Sequence, residues 1–274
     1  MDSSSQVRAQ DAAMSIARSF GLAAETATVL HDSNKLTLRL LPCDSLARVA
    51  PAFHRIARFE IDLARRLGEV GAPVAALDPR VEPRVFEVED FEISLWTHYE
   101  TAAREIGPRE YADALQALHA GMRDLDVPTP HFTDRVDEAL ALADDRERTP
   151  DLADPDRRFL GDTLRELRNS ITERGAAEQL LHGEPHPGNL LATEHGPKFI
   201  DFETCCRGPV EFDLAHAPDA VAEHYPGLDP ELLRDCRALM LAMITMWRWD
   251  RGDELPNGRA LAAEWLGRIR SMRD

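Results

Sequence analysis

The 274-residue chain carries 49 acidic against 32 basic residues, a formal net charge of −17, with 43% hydrophobic and 30% charged residues. That composition is ordinary for a globular protein and long enough for one large domain or two lobes. A field of this sign argues against nucleic acid and anionic membrane as partners and attracts polycationic small molecules. The charge is uneven: residues 1–100 hold 15 acids and 11 bases, residues 101–274 hold 34 and 21, so the second part carries −13 of the total. Met1 to Gln10 is polar, with no apolar core of an export signal, and the apolar run Ala238 to Trp247 is too short to span a bilayer. Cys43, Cys205, Cys206 and Cys236 have no metal-ligand spacing, so a reduced, cytoplasmic protein is expected, as monomer or homodimer.

In chain order, residues 7–20 have helical spacing and end at Gly21. Three β-like stretches follow, Glu25–Leu30, Leu36–Leu41 and Ser45–Val49, with turn residues His31-Asp-Ser-Asn34 between the first two. Phe53, Ile56, Phe59, Leu63, Leu67 and Val70 share one face of a helix predicted over Ala52–Val70 and stopped at Gly71. Val85–Val88 and Glu92–Trp96 read as two more strands. After Tyr99 helices dominate: Tyr111–Met122, Arg135–Ala143, Arg157–Glu173, Pro230–Asp250 and Gly258–Met272. The acidic stretch Asp134–Asp156, broken by Pro150 and Pro155, reads largely as an exposed connection. The pattern predicts an α+β protein, with a small β-rich lobe over residues 1–97 and a larger, mainly helical lobe over 98–274.

The most informative segment is Leu181-His-Gly-Glu-Pro-His-Pro-Gly-Asn-Leu-Leu191, followed by Phe199-Ile-Asp-Phe-Glu203. A zinc-hydrolase reading of its two histidines fails, because Pro185 and Pro187 forbid the continuous helix such a site needs. The prolines and Gly188 instead make an irregular loop between short strands, Gln179–Leu181 and Leu190–Ala192. It carries a carboxylate, Glu184, and five residues on an amide, Asn189, and the next β-like segment delivers Asp201. Phosphoryl transfer needs this kit: one carboxylate near the attacking hydroxyl, and an amide plus a carboxylate to hold a divalent cation against the phosphates.

The spacing resembles H-G-D-x-x-x-x-N…D-x-[DEG] of the aminoglycoside phosphotransferases and choline-kinase-like enzymes, with Glu184 where the family has Asp. The resemblance implies a protein-kinase-like fold and an O-phosphotransferase using ATP or GTP with Mg²⁺. Glu184 would be the catalytic carboxylate, and Asn189 and Asp201 the Mg²⁺ ligands. Glu203, two residues on, would reach a second metal or hydrogen-bond locally. His182, His186 and Asp213 would support the loop.

A G-x-x-x-x-G-K-[ST] phosphate loop is missing, so the His31–Lys35 turn is left to cover the phosphates. Ser45-Leu-Ala-Arg-Val49 resembles the kinase strand that bears the phosphate-binding lysine, with Arg48 in its place and Glu60 as its partner; Lys35 and Arg39 are rivals. Arginine is a capable bidentate phosphate ligand. Ser94–Glu100 falls where the adenine would bind, with Trp96 and His98 as candidate contacts. For the acceptor, the acidic balance points to a small cationic molecule, an aminoglycoside or basic cyclic-peptide antibiotic, with Asp134, Asp137, Glu138, Glu223, Asp250, Asp253 and Glu254 as candidate amine ligands. A metabolic kinase of an amino alcohol or sugar, and a nucleotide- or drug-binding pseudokinase, are the alternatives.

Overall fold

The computed structural model describes residues 1–273, in two compact units: Met1–Glu110 with Asn189–Glu203, and Tyr111–Gly188 with the chain from Thr204 onward. The first unit opens with α1 (Ser3–Ser19), which starts earlier than its apolar spacing predicts because Asp2 caps it, accepting from the Ser4 and Ser5 amides at 3.0 and 2.9 Å. Strands β1 (Ala24–Asp32), β2 (Leu36–Pro42) and β3 (Ser45–Pro51) lead to α2 (Ala57–Glu69), then β4 (Phe86–Val88) and β5 (Phe91–Thr97). The five strands form one antiparallel sheet in the order β1-β2-β3-β5-β4. The helix expected from Ala52 begins only at Ala57, because Arg55 takes a positive φ of 53° that no right-handed helix accommodates.

Alternation along the strands sorts the side chains between two faces. Leu36, Leu38, Leu40, Ala47, Val49, Ile93 and Leu95 point to one face and pack with Ala9, Ala13 and Ala17 of α1. Leu46 and Trp96, paired across β3 and β5, point to the other and pack with Ile61 and Ala64 of α2. Arg48 follows Leu46 by two, so the same alternation turns it toward the α2 side of the sheet, where Glu60 lies.

In the second unit α3 (Pro108–Arg123), α4 (Phe132–Asp144) and α5 (Asp154–Glu173) precede β6 (Gln179–Leu181). The acidic stretch Asp134–Asp156 is therefore not simply an exposed connection. Val136, Ala139, Leu140, Leu142 and Ala143 face the core from α4, and Thr149 and Leu152 are buried in the linker. Pro155 does not break a helix; it sits in the first turn of α5, where its missing N–H costs nothing.

After a 3-10 turn at Pro187–Asn189, the hairpin of β7 (Leu190–Thr193) and β8 (Gly196–Phe199) returns to the first unit. It is tied there by Phe199 N–H to the Pro73 carbonyl at 2.8 Å, Ala75 N–H to the Phe199 carbonyl at 3.0 Å, and Ala102 N–H to the Ala192 carbonyl at 2.7 Å. The chain then re-enters the second unit through β9 (Cys206–Gly208), antiparallel to β6, and α6 (Val210–Leu214), α7 (Asp219–Ala222), α8 (Pro230–Arg248) and α9 (Gly258–Arg273) complete it. Its core joins α4, α5, α8 and α9 with Leu181, Cys206 and Phe212. The apolar run in α8 is core, and no helix among the described residues is long and apolar enough to cross a membrane.

Leu239 of α8 is fully buried in that core. Leu239→Ala should lower the unfolding free energy by about 2–5 kcal/mol in a denaturant titration, through lost burial and a residual cavity. Phe53→Ser, at a side chain that is 79% exposed, should change it by less than about 0.5 kcal/mol.

Candidate functional site

Five charged side chains meet in the first unit. Lys35 comes from the turn between β1 and β2, Arg48 from β3, Glu60 from α2, and Asp201 and Glu203 from the segment after β8. Lys35 Nζ lies 2.8 Å from Glu60, 3.1 Å from Asp201 and 2.8 Å from Glu203. Arg48 donates to Glu60 at 2.9 Å and to Asp201 at 2.8 Å, with its guanidinium 5.9 Å from the centre of the Trp96 ring. Arg48 and Glu60 are thus paired, and Lys35, its expected rival, shares the same partners. Arg39 stands apart, bonded to Asp44 at 2.7 Å.

Burial alone would raise the Asp201 pKa. Arg48 and Lys35 outweigh it and hold the carboxyl down at about 2. Burial and the neighbouring Arg48 disfavour charge on Lys35, yet Glu60, Asp201 and Glu203 keep its pKa above the usual lysine value. Removing any one member would leave an uncompensated charge in a poorly solvated place, which is the costly way to break such a cluster.

Asp201 does not lie on a strand, contrary to expectation. Strand β8 ends at Phe199, and Asp201 adopts a positive φ of 66°. Asp201 and Glu203 therefore converge on Lys35 through a turn rather than through the strand pleat. The two cations both bind Asp201 through Oδ1, whereas Glu203 has both oxygens engaged, Oε1 by the Asn34 amide at 2.8 Å and Oε2 by Lys35. Asn189 is set beside this turn by a 3.0 Å bond from the Ile200 amide to its carbonyl. Asn189 and Asp201 make an all-oxygen donor set suited to a hard divalent cation, with Glu203, both of its oxygens engaged, beside it. It is an incomplete one: among the described residues no group of three or more His, Cys, Asp or Glu side chains could hold a metal.

The other two adenine candidates have structural partners. Trp96 is 5% exposed, packs on α2 and donates to Ser94 Oγ at 2.8 Å. His98 lies 3.2 Å from Asp44, without hydrogen-bond geometry at Nδ1.

In the second unit, β6 runs into the loop His182–His186. Gly183 takes a φ of 88°, and a Cβ there would sit 1.9 Å from the Thr204 carbonyl oxygen, so only glycine fits. Asp213 of α6, fully buried, accepts from the His182 amide at 2.9 Å and the Gly183 amide at 2.8 Å. Its Oδ2 also lies 2.9 Å from His119 Nε2, and His119 Nδ1 lies 2.7 Å from the Tyr225 hydroxyl. Burial opposes a charge on Asp213, but His119, His182 and the Gly183 amide hold its pKa below the usual carboxylate value. Tyr111 donates to the Pro185 carbonyl, and His186 Nδ1 accepts from the Gly188 amide at 3.0 Å.

Glu184 is bonded to Arg135 of α4. Burial pushes its pKa up, and Arg135, His216 and His186 more than reverse that. Trp247, over which the Arg135 guanidinium lies at 5.1 Å, also lines a cavity of about 700 Å³ together with Asp145, Arg148, Arg248, Asp250 and Asp253. Two of the acids there are paired, Asp250 to Arg148 and Asp253 to Arg248 at 2.6 Å. Asp137 pairs with Arg168, and Asp134 caps α4 by accepting from the His131 amide at 2.9 Å. Arg135, His119, Tyr111, Tyr225 and His216 were not legible as site residues, since each reaches the loop, directly or through Asp213 and its partners, across long sequence separations.

Comparison with known proteins adds the following. The family model described as phosphotransferase enzyme family matches residues 18–252. No curated protein matches the sequence. Among solved structures, the amicoumacin kinase hAmiN, in complex with AMP-PNP, Ca²⁺ and Ami, is 15% identical, with 99% of this chain and 96% of that one covered and a TM-score of 0.72. A choline/ethanolamine kinase family protein from Mesorhizobium loti is 16% identical, with 96% and 94% covered and a TM-score of 0.68. Spectinomycin phosphotransferase APH(9)-Ia, in complex with ADP and spectinomycin, is 13% identical, with 97% and 94% covered and a TM-score of 0.62. These likenesses show the kinase-like α+β fold.

Asp213→Asn should destabilise the protein by about 3–5 kcal/mol in denaturant unfolding, because the buried His119 and the two loop amides lose their anionic partner. A change under about 0.5 kcal/mol would mean that this network carries little of the loop's stability.

Proposed function

The chain belongs to the phosphotransferase enzyme family, and we propose that it transfers the γ-phosphate of ATP or GTP to a hydroxyl of a small cationic molecule, an aminoglycoside or basic cyclic-peptide antibiotic. The observation that carries this reading is the set Lys35, Arg48, Glu60 and Asp201, two buried and two half-buried, in which both cations converge on one oxygen of Asp201 and Glu60 braces them.

Arg48, braced by Glu60, binds the nucleotide phosphates, and the backbone of Ser94–Glu100 receives the base. Asp201 and Asn189 would hold the divalent cation, Mg²⁺ by the chemistry of an oxygen-only set. When bound, that cation supplies charge neutralisation on the phosphates. Glu203, with both oxygens occupied, ties the His31–Lys35 turn to the Asp201 segment rather than acting as a ligand. Glu184 accepts the hydrogen bond of the acceptor hydroxyl and aims its oxygen. As the new O–Pγ bond forms, the bond from Pγ to the β–γ bridging oxygen breaks. The nucleoside diphosphate leaves with that electron pair, and the hydroxyl proton passes to Glu184 and on to solvent. Such a transfer depends on positioning and charge stabilisation more than on base strength, so a glutamate whose pKa is held low can serve.

The net charge of −17 supports a cationic acceptor by long-range attraction. Amicoumacin and spectinomycin are bound by two of the structural relatives, choline and ethanolamine name the family of a third. One observation favours the second, metabolic reading. Asp137, Asp250 and Asp253 are each neutralised by an arginine, which leaves fewer carboxylates for a polyamine than the sequence suggests and would suit a singly charged amino alcohol.

A coupled assay of ADP or GDP release, with aminoglycosides, basic peptide antibiotics, choline, ethanolamine and simple sugars as acceptors, separates these readings. Release stimulated by a cationic antibiotic supports the first, and by choline or ethanolamine the second. Nucleotide binding without release by any acceptor would argue for binding without catalysis. With an active acceptor, Glu184→Gln should lower kcat by about 10²-fold or more while the nucleotide KM changes little. Asp201→Ala should abolish turnover, and retained activity would remove the metal assignment.

A further inference from the structure

We infer that Arg135 is a positioning residue for Glu184, a clamp that lets a glutamate do the work of the aspartate usual in this family. The inference rests on the catalytic reading of Glu184 given above. Glutamate has one more methylene than aspartate, hence one more rotatable bond and a wider spread of carboxylate positions. Something must remove that freedom if the carboxylate is to meet one hydroxyl.

Arg135 does so from three sides. Its Nη2 bonds Glu184 Oε1, and its Nη1 lies 3.4 Å from the Gly183 carbonyl, so one rigid guanidinium fork spans side chain and backbone of the same loop. The ring of Trp247 on α8 packs against the guanidinium, 5.1 Å from its centroid. The base of the clamp is fixed as well. Arg135 lies in the first turn of α4, which is closed by the His131–Asp134 capping box, and the neighbouring Phe132 is fully buried 5.4 Å from the Phe212 ring. Phe212 directly precedes Asp213, which holds the other two amides of the loop. α4 and α6 thus grip His182–Glu184 together.

The clamp also sets the charge state of the carboxylate. The groups facing Glu184 are Arg135 of α4, His216 just after α6, and His186 of the loop itself. His216 is pushed down to about 4 by burial, so it is neutral at physiological pH, and the buried Cys206 thiol is raised and neutral too. Arg135 is the member of the set that bonds the carboxylate directly.

The test uses the intact chain and the acceptor of highest turnover in the release assay. Arg135→Met should lower kcat about 10- to 100-fold, leave the nucleotide KM within about threefold, and move the acidic limb of kcat/KM for the acceptor to higher pH. Arg135→Lys should recover part of the rate, since it restores charge without the fork. Glu184→Asp should also lose activity, because the shorter carboxylate no longer reaches the clamp. In that background Arg135→Met should add little, so the two losses fail to multiply. A ¹³C-carboxylate titration of Glu184 in wild type and Arg135→Gln follows the same upward shift without turnover, should the methionine variant fold poorly. An Arg135→Met enzyme with wild-type kcat and an unmoved acidic limb, beside an inactive Glu184→Gln, would overturn the clamp and leave the catalytic reading standing. Wild-type turnover in Glu184→Gln would overturn both.

Discussion

A carboxylate taken out of water stays charged only while cations or hydrogen-bond donors face it, and this constraint organises the molecule around Asp201. Arg48 and Lys35 both bind its Oδ1, and Glu60 in turn bridges the two cations. Each participant fixes an element. Arg48 requires the register of β3, Glu60 requires α2 to lie on the Leu46–Trp96 face, and Lys35 fixes the turn between β1 and β2. Asp201 requires the β7–β8 hairpin to be anchored at Pro73 and Ala75. The first unit is built so that four separate segments deliver charge to one place, and that preorganisation is what electrostatic catalysis of phosphoryl transfer demands.

The second unit obeys the same rule with different parts. Asp213 is fully buried and remains charged against two backbone amides and His119, while Glu184 is kept ionised by Arg135. Here the partners are drawn from helices, His119 from α3, Asp213 from α6 and Arg135 from α4. A loop rich in proline and glycine, with no ladder of its own, is thereby held in one conformation.

Much of this was legible in the sequence because its signals are local. Strand alternation and helical spacing gave the five-stranded sheet and most helices, and the H-G-E-x-x-x-x-N spacing singled out Glu184, Asn189 and Asp201. The Arg48–Glu60 pairing came from the resemblance of Ser45–Val49 to the kinase strand that bears a phosphate-binding cation. What local pattern does not carry is long-range pairing. Nothing in Asn189–Glu203 announces that its hairpin bonds to Pro73 and Ala75, and nothing around Arg135 marks it as the partner of Glu184, 49 residues away. The acidic stretch from Asp134 misled because its charges drew attention from the apolar face of α4. The left-handed conformation of Asp201 had no signal either, since aspartate at a positive φ is tolerated where surrounding bonds enforce it.

In the proposed function Arg48 receives the nucleotide phosphates and Asp201 the divalent cation. Calorimetric titration of AMP-PNP into the protein, with and without Mg²⁺, tests it without knowledge of the acceptor. The account predicts Mg²⁺-dependent binding in wild type, loss of the Mg²⁺ dependence in Asp201→Asn, and binding weakened about tenfold or more in Arg48→Met, the scale of a lost charge-assisted contact. Equal affinity with and without Mg²⁺ in wild type, or wild-type binding in both variants, would contradict it.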